Sequence, residues 1–106
     1  MTIALTSDVL ERIGTALADS TRRRILTMLL AAPAYPAELA QILDVSRTNM
    51  SNHLACLRGC GLVIATREGR QVRYELADQR LANALGELAR VVLDSPTCPA
   101  HLEPRP

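Results

Sequence analysis

Cys56 and Cys60 stand four residues apart, and a third cysteine, Cys98, lies near the end of the 106-residue chain. On a helix that spacing puts both side chains on one face, with Cβ atoms about 6 Å apart. An unstrained disulfide needs roughly 3.8 Å, so the pair does not pair with itself, yet side-chain rotation lets two thiolates converge on one soft ion. Folding Cys98 onto them gives a three-thiolate centre. Sulfur-only coordination selects cadmium, lead, mercury or trivalent arsenic over magnesium or calcium. The plainer alternative is that helix cysteines are small buried hydrophobes and Cys98 is incidental. An odd number of cysteines, two of them this close, makes no disulfide framework and points to a reducing compartment, the cytoplasm.

The thiol pair sits inside a basic segment. Residues 46–73 carry Arg47, Arg58, Arg67, Arg70 and Arg73 against Glu68, a net +4, whereas residues 1–45 sum to −1 and residues 74–106 to −2. The overall charge of +1 conceals this. At 100° per residue Met50, Leu54 and Leu57 share one side of a helix, and Thr48, Ser51, Asn52 and Ala55 share the other, flanked by Arg47. Short polar side chains of this kind reach base edges in a major groove, where Arg reads guanine and Asn reads adenine. Arg67, Arg70 and Arg73 would lie beside the phosphates or in the adjacent minor groove. A solvated helix face and an ordinary charged hairpin are the alternative reading. Tyr35 and Tyr74 are the only aromatics, which argues against base stacking. Two histidines, no glycine-rich phosphate loop and no paired carboxylates leave nothing to assign to catalysis.

The elements that must position these groups follow from periodicity. Val9, Ile13, Ala16 and Leu17 mark a first helix from about Thr6 to Ala18. Asp19 or Ser20 opens a second, with Ile25, Met28, Leu29 and Ala32 as its buried face, ended by Pro33. Pro36 starts a third that runs to about Leu43, with Glu38 near its positive end. Ser46 caps a fourth helix to about Cys60, and two helices joined by a three-residue turn make a helix-turn-helix. Leu62 to Thr66 reads as a strand, and Val72, Tyr74 and Leu76 alternate with polar residues in another. Arg67-Glu68-Gly69-Arg70 joins them as a β-hairpin wing. Asp78 caps a last helix with Leu81, Leu85, Leu88 and Val92 on one stripe.

The resulting fold class is mainly α with a β-hairpin wing, a winged helix-turn-helix in the order α1-α2-α3-α4-β1-β2-α5. It forms one domain over residues 1–95, followed by an irregular tail over 96–106 that carries Cys98. A domain of this size leaves about 40% of its surface unburied, and the stripes of the first and last helices exceed what its own core covers. A two-fold dimer through Val9, Ile13, Leu17, Leu81, Leu85, Leu88 and Val92 accounts for them, with a monomer as the alternative. No apolar run reaches the ~18 residues of a membrane span and no secretory signal is expected.

Leu17-Ala18-Asp19-Ser20-Thr21-Arg22, followed by Ile25-Leu26, and Ser51-Asn52-His53-Leu54 leading into Leu57-Arg58-Gly59-Cys60-Gly61-Leu62-Val63 resemble the hallmark segments of the ArsR/SmtB family of repressors. The hairpin from Arg67 to Tyr74 continues the likeness, which covers about residues 8–93. The resemblance implies a cytoplasmic homodimer joined by its first and last helices, whose metal-free form represses an operator until metal binds. Cys56-Leu57-Arg58-Gly59-Cys60 is similar to the ligand pair of the CmtR type of cadmium/lead sensor, in which a tail cysteine, here Cys98, comes from the other subunit. The third helix lacks the Cys-Val-Cys ligands of the arsenic sensors, and the last helix lacks the histidines of the zinc and nickel sensors. The resemblance gives His53 a part in the fold more readily than in ligation, and His101 ranks no higher. Cadmium or lead is the expected effector, with mercury, zinc and arsenite left open and no organic cofactor. A thiol-oxidation-sensing repressor of the same fold, or a DNA-binding module without sensing, fits the same residues.

Overall fold

The computed structural model describes residues 6–95. The element order is α1 (Ser7–Ala18), α2 (Ser20–Ala31), α3 (Pro36–Leu43), α4 (Arg47–Gly59), β1 (Val63–Glu68), β2 (Gln71–Leu76) and α5 (Gln79–Asp94). This is the winged helix-turn-helix order expected from periodicity. The expected tail, Cys98 included, lies outside the described residues.

Helix starts are set by local chemistry. Thr6 Oγ1 accepts from the Val9 amide at 3.3 Å, Asp19 Oδ2 from Arg22 at 3.0 Å, Ser46 Oγ from Asn49 at 3.1 Å and Asp78 Oδ1 from Arg80 at 2.8 Å. Each satisfies an amide that the helix itself leaves without a partner. Between α3 and α4 the chain turns through Asp44 at φ 56°, a left-handed position that Asp tolerates. The hairpin pairs Glu68 with Gln71, leaving Gly69 and Arg70 as a two-residue turn. Gly69 has φ +62°, the backbone a tight primed turn needs at its first central position.

The core gathers Ala16 of α1, Ile25, Leu26 and Leu29 of α2, Leu39, Ala40 and Leu43 of α3, Met50, Leu54 and Leu57 of α4, and Val63 and Tyr74 of the hairpin. Three details differ from the sequence reading. Leu26 is buried while Met28 is half-buried and Ala32 exposed, because Leu26 lies off the expected stripe, facing Ile13 and Leu17 of α1 and Leu81 and Leu85 of α5. The first strand begins at Val63 and runs to Glu68, one residue later at its start and two at its end. Ala34, in the loop before α3, exchanges backbone hydrogen bonds with Tyr74 at 2.9 and 2.8 Å, adding a bridge to the outer edge of β2. The wing is thereby fastened to the helix-turn-helix.

Helix α5 is covered only in part, with Leu81, Ala82 and Leu85 half-buried. None of its residues is buried, and Leu88, Val91 and Val92 are 56%, 65% and 64% exposed. The radius of gyration, 15.5 Å, exceeds the roughly 13 Å of a compact domain of this length.

Candidate nucleic-acid interface and thiol pair

Helix α4 sorts its residues by direction. Met50, Leu54 and Leu57 are buried, which fixes the helix against the core. Arg47, Thr48, Ser51 and Asn52 are all exposed on the far side, as the periodicity requires. Ala55 joins them. Nothing on this face is engaged in an ion pair among the described residues, so its polar groups are available to a ligand.

The wing arginines divide into two kinds. Arg67 and Arg70 are exposed and lack a carboxylate partner among the described residues. Arg73 is half-buried, with Nη1 3.3 Å from Glu68 and Nη2 3.6 Å from Glu75, and its buried Nε has no hydrogen-bond partner. Tyr35 donates its hydroxyl to the other Glu68 oxygen at 2.7 Å, and that carboxylate raises the tyrosine pKa. Tyr35, Glu68 and Arg73 therefore tie the wing to the start of α3. A cleft of about 330 Å³ between these two parts is lined by Tyr35, Pro36, Arg47 and Arg70, which brings an arginine at the start of α4 and a wing arginine to the same opening.

Cys56 and Cys60 are both half-buried, free thiols on the flank of α4 between its buried and its exposed sides. Burial first, and the neighbouring Cys56 second, push the Cys60 thiol pKa up, while Arg12 and Arg22 pull it down. Two soft donors at this spacing fit a soft cation by type and by proximity. Among the described residues no group of three or more Cys, His, Asp or Glu side chains could complete the site. His53 faces away into the fold: Nδ1 lies 3.7 Å from Asp19 Oδ2 and 3.5 Å from Arg22 Nη1. The expected ligand Cys98 lies outside the described residues.

The residues expected at a dimer face line one apolar feature. Ile13 and Leu17 of α1 and Leu81, Leu85 and Leu88 of α5 surround an almost wholly apolar hollow of about 220 Å³, floored by Leu26 and Leu62. Val9 is half-buried, and Val92 lies further along the exposed side of α5.

Residues 19–65 match the family of bacterial regulatory proteins named for arsR. The chain is 60% identical over 93 residues to the HTH-type transcriptional regulator CmtR of Mycobacterium tuberculosis, covering 88% of this chain and 79% of that protein. The chain belongs to the ArsR family. As an ArsR-family member it is a DNA-binding transcriptional regulator and not an enzyme. Solved structures agree. The NMR structure of the cadmium sensor CmtR from M. tuberculosis superposes with a TM-score of 0.64 at 61% identity, covering 83% of this chain and 96% of that one. A homodimeric winged helix-turn-helix DNA-binding domain from Mycobacterium bovis gives 0.73 at 32% identity, covering 87% and 91%.

Sequence reasoning missed Arg12 and the partnership of Arg22 with His53. Arg12 Nη2 donates to the Cys60 carbonyl at 3.1 Å across 48 residues of sequence, and Arg22 holds the end of α1 through Thr15 and Ala16 carbonyls at 2.7 and 3.2 Å. The family hallmark segment containing Asp19 and Arg22 was the available signal for the second. Nothing local marks the first.

Proposed function

We propose that the protein is a homodimeric, metal-responsive repressor that binds operator DNA when metal-free and releases it on binding a soft thiophilic ion, cadmium or lead before mercury, zinc or arsenite. The observation that carries this reading is that the thiol pair and the exposed Arg47, Thr48, Ser51 and Asn52 belong to one helix. Any force on Cys56 and Cys60 acts on the element that reads DNA. Membership in the family, the cadmium-sensing relative and the homodimeric neighbour support the same conclusion.

In this reading Arg47, Thr48, Ser51 and Asn52 enter the major groove, and Arg67 and Arg70 meet the backbone or minor groove, with Arg73 chiefly orienting the wing. Val9, Ile13, Leu17, Leu81, Leu85, Leu88 and Val92 form the dimer face, which sets the spacing of the two recognition helices. Residues 1–95 act as the DNA-binding and dimerisation domain in the cytoplasm, and the 96–106 tail brings Cys98 as the third thiolate from its own chain or its partner's. When bound, the ion supplies strong metal–thiolate bonds. The described residues offer two of the three donors, so the third has to arrive from outside them. Metal and DNA then weaken each other by the same factor, and nearly complete switching requires about 5.5 kcal/mol of coupling.

The test is ultraviolet titration with cadmium and with lead on wild type, Cys56→Ser, Cys60→Ser and Cys98→Ser, alongside gel-shift measurement of operator binding. The thiolate charge-transfer band is expected in wild type, lost in the two helix variants and weakened in the tail variant, with metal-induced DNA release lost in parallel. Unchanged operator affinity on cadmium addition would sink the reading. Release by peroxide that reductant reverses and chelators ignore would favour oxidation sensing instead.

A further inference from the structure

Helix α4 is held to the first two helices at two points that differ in kind. Near its middle, His53 meets Asp19 and Arg22 in a partly buried knot, and Arg22 is itself fastened to two carbonyls at the end of α1. Several bonds there back one another up. At its C-terminal end one polar contact crosses to α1, the 3.1 Å hydrogen bond from Arg12 Nη2 to the Cys60 carbonyl. That acceptor sits at the negative end of the helix dipole, where carbonyls lack helical partners and a cation is favoured. The same Nη2 lies 3.3 Å from the position a Cβ on Gly61 would occupy. The guanidinium thus rests on the corner where the chain turns, at φ +85°, out of α4 toward β1. On α1 the next residue is Ile13, which lines the apolar hollow shared with α5. One side chain therefore joins the thiol-bearing end of α4 to the helix of the proposed dimer face.

Resting on the metal-responsive reading above, we infer that Arg12 is the positioning residue that couples the thiol pair to the dimer. Its contact braces the free end of α4 against α1, while the His53 knot holds the middle, so a displacement at Cys60 is passed to α1 through the Cys60 carbonyl. Arg12 is exposed, and its replacement leaves the core intact.

The experiment compares wild type, Arg12→Met and Arg12→Lys by amide hydrogen exchange without metal and by operator affinity with and without cadmium. Without metal, Arg12→Met is expected to remain dimeric and to bind DNA within about threefold of wild type. Its Gly61 and Leu62 amides, which close the end of α4, are expected to exchange about five- to tenfold faster, the scale of one hydrogen bond. The cadmium-induced fall in DNA affinity should shrink by about fivefold or more, within the usual range of allosteric couplings. Arg12→Lys keeps a charge and a donor and should restore most of both effects. If wild type responds to cadmium and Arg12→Met responds equally, with unchanged exchange, the inference is overturned. If wild-type DNA affinity ignores cadmium, the metal-responsive reading fails, a result distinct from failure of Arg12 alone.

Discussion

Helices α4 and α5 are both striped with apolar residues, and the protomer treats them oppositely. The stripe of α4 is spent inside the molecule: Met50, Leu54 and Leu57 are at most 1% exposed, and what remains outside is short, polar or cationic. The stripe of α5 is covered only in part: Leu81 and Leu85 are half-buried, while Leu88 and Val92 remain 56% and 64% exposed. Large exposed apolar faces on small soluble domains mark contact with another macromolecule. The difference teaches that one chain presents two surfaces of opposite character, the polar one that the proposed function gives to DNA and the apolar one that it gives to a second copy. The loop before α3 and the Tyr35–Glu68–Arg73 cluster belong to the first surface and the apolar hollow to the second.

The same residue type on the two helices offers the sharpest contrast. Leu54→Ala is expected to lower protomer stability by about 2–5 kcal/mol through lost burial and a residual cavity. For a domain this small that is a large share of the total, and chemical denaturation will read it at any protein concentration. Leu88→Ala should cost the isolated protomer far less. If the two variants destabilise equally at high dilution, α5 packs in the protomer as α4 does and the contrast collapses.

A charge placed on the exposed stripe tests the second surface. Leu88→Glu with Val92→Glu is expected to leave helix content intact, abolish the concentration dependence of the melting temperature, and weaken operator binding by about 100-fold, because two half-sites no longer bind together. Sedimentation at several concentrations and gel shifts check both parts. A variant that remains a dimer with full DNA affinity would place the interface elsewhere.

How much of this was legible in the sequence depends on range. The caps at Asp19, Ser46 and Asp78, the Gly69 turn and the sidedness of α4 are decided by residues within one helical turn or one hairpin, and the sequence displays them directly. The Arg12–Cys60 bond, the Tyr35–Glu68 bond and the Ala34–Tyr74 bridge join residues 48, 33 and 40 positions apart. No local pattern encodes them. Leu26 was hidden for a related reason, since it is the packing of α2 against two other helices that decides which flank is covered. Arg73 shows the same limit on a strand: alternation assigns it outward with Arg67 and Arg70, but Glu68 across the hairpin and Glu75 on its own strand claim it.

That division among the arginines gives a smaller effect on the polar surface. Arg70→Ala is expected to reduce the slope of log affinity against log salt by about one, the signature of one phosphate contact. Arg73→Ala should change the slope less, because its charge is already offset by Glu68 and Glu75, and should instead loosen the wing. The α5 double variant should weaken binding without this salt signature. Equal slopes for Arg70→Ala and wild type would remove Arg70 from the backbone contacts.

The smallest effect separates the helices by what supports their ends. Asp78 caps α5 and holds Arg80 with Oδ2 at 2.8 Å from Nη2, and the Arg80 side chain above all lowers its pKa from 3.8 to about 2. A carboxylate whose folded pKa is depressed stabilises the fold above its unfolded value and loses that contribution as pH falls through the folded one. The start of α5 should therefore be intact above pH 3.8 and loosen on the way down to about 2. Asp19 at the start of α2 is also lowered, first by the Arg22 amide, but α2 is anchored by buried Ile25, Leu26 and Leu29. Protonating Asp19 removes a cap from a helix that packing still holds, whereas protonating Asp78 removes one from a helix with no fully buried residue. NMR shifts of the Leu81 and Ala82 amides should move over that acid range in wild type and stay flat in Asp78→Asn, which keeps a capping oxygen without the titrating charge. Matching acid profiles at the two helix starts would mean that α5 is anchored in the protomer as firmly as α2.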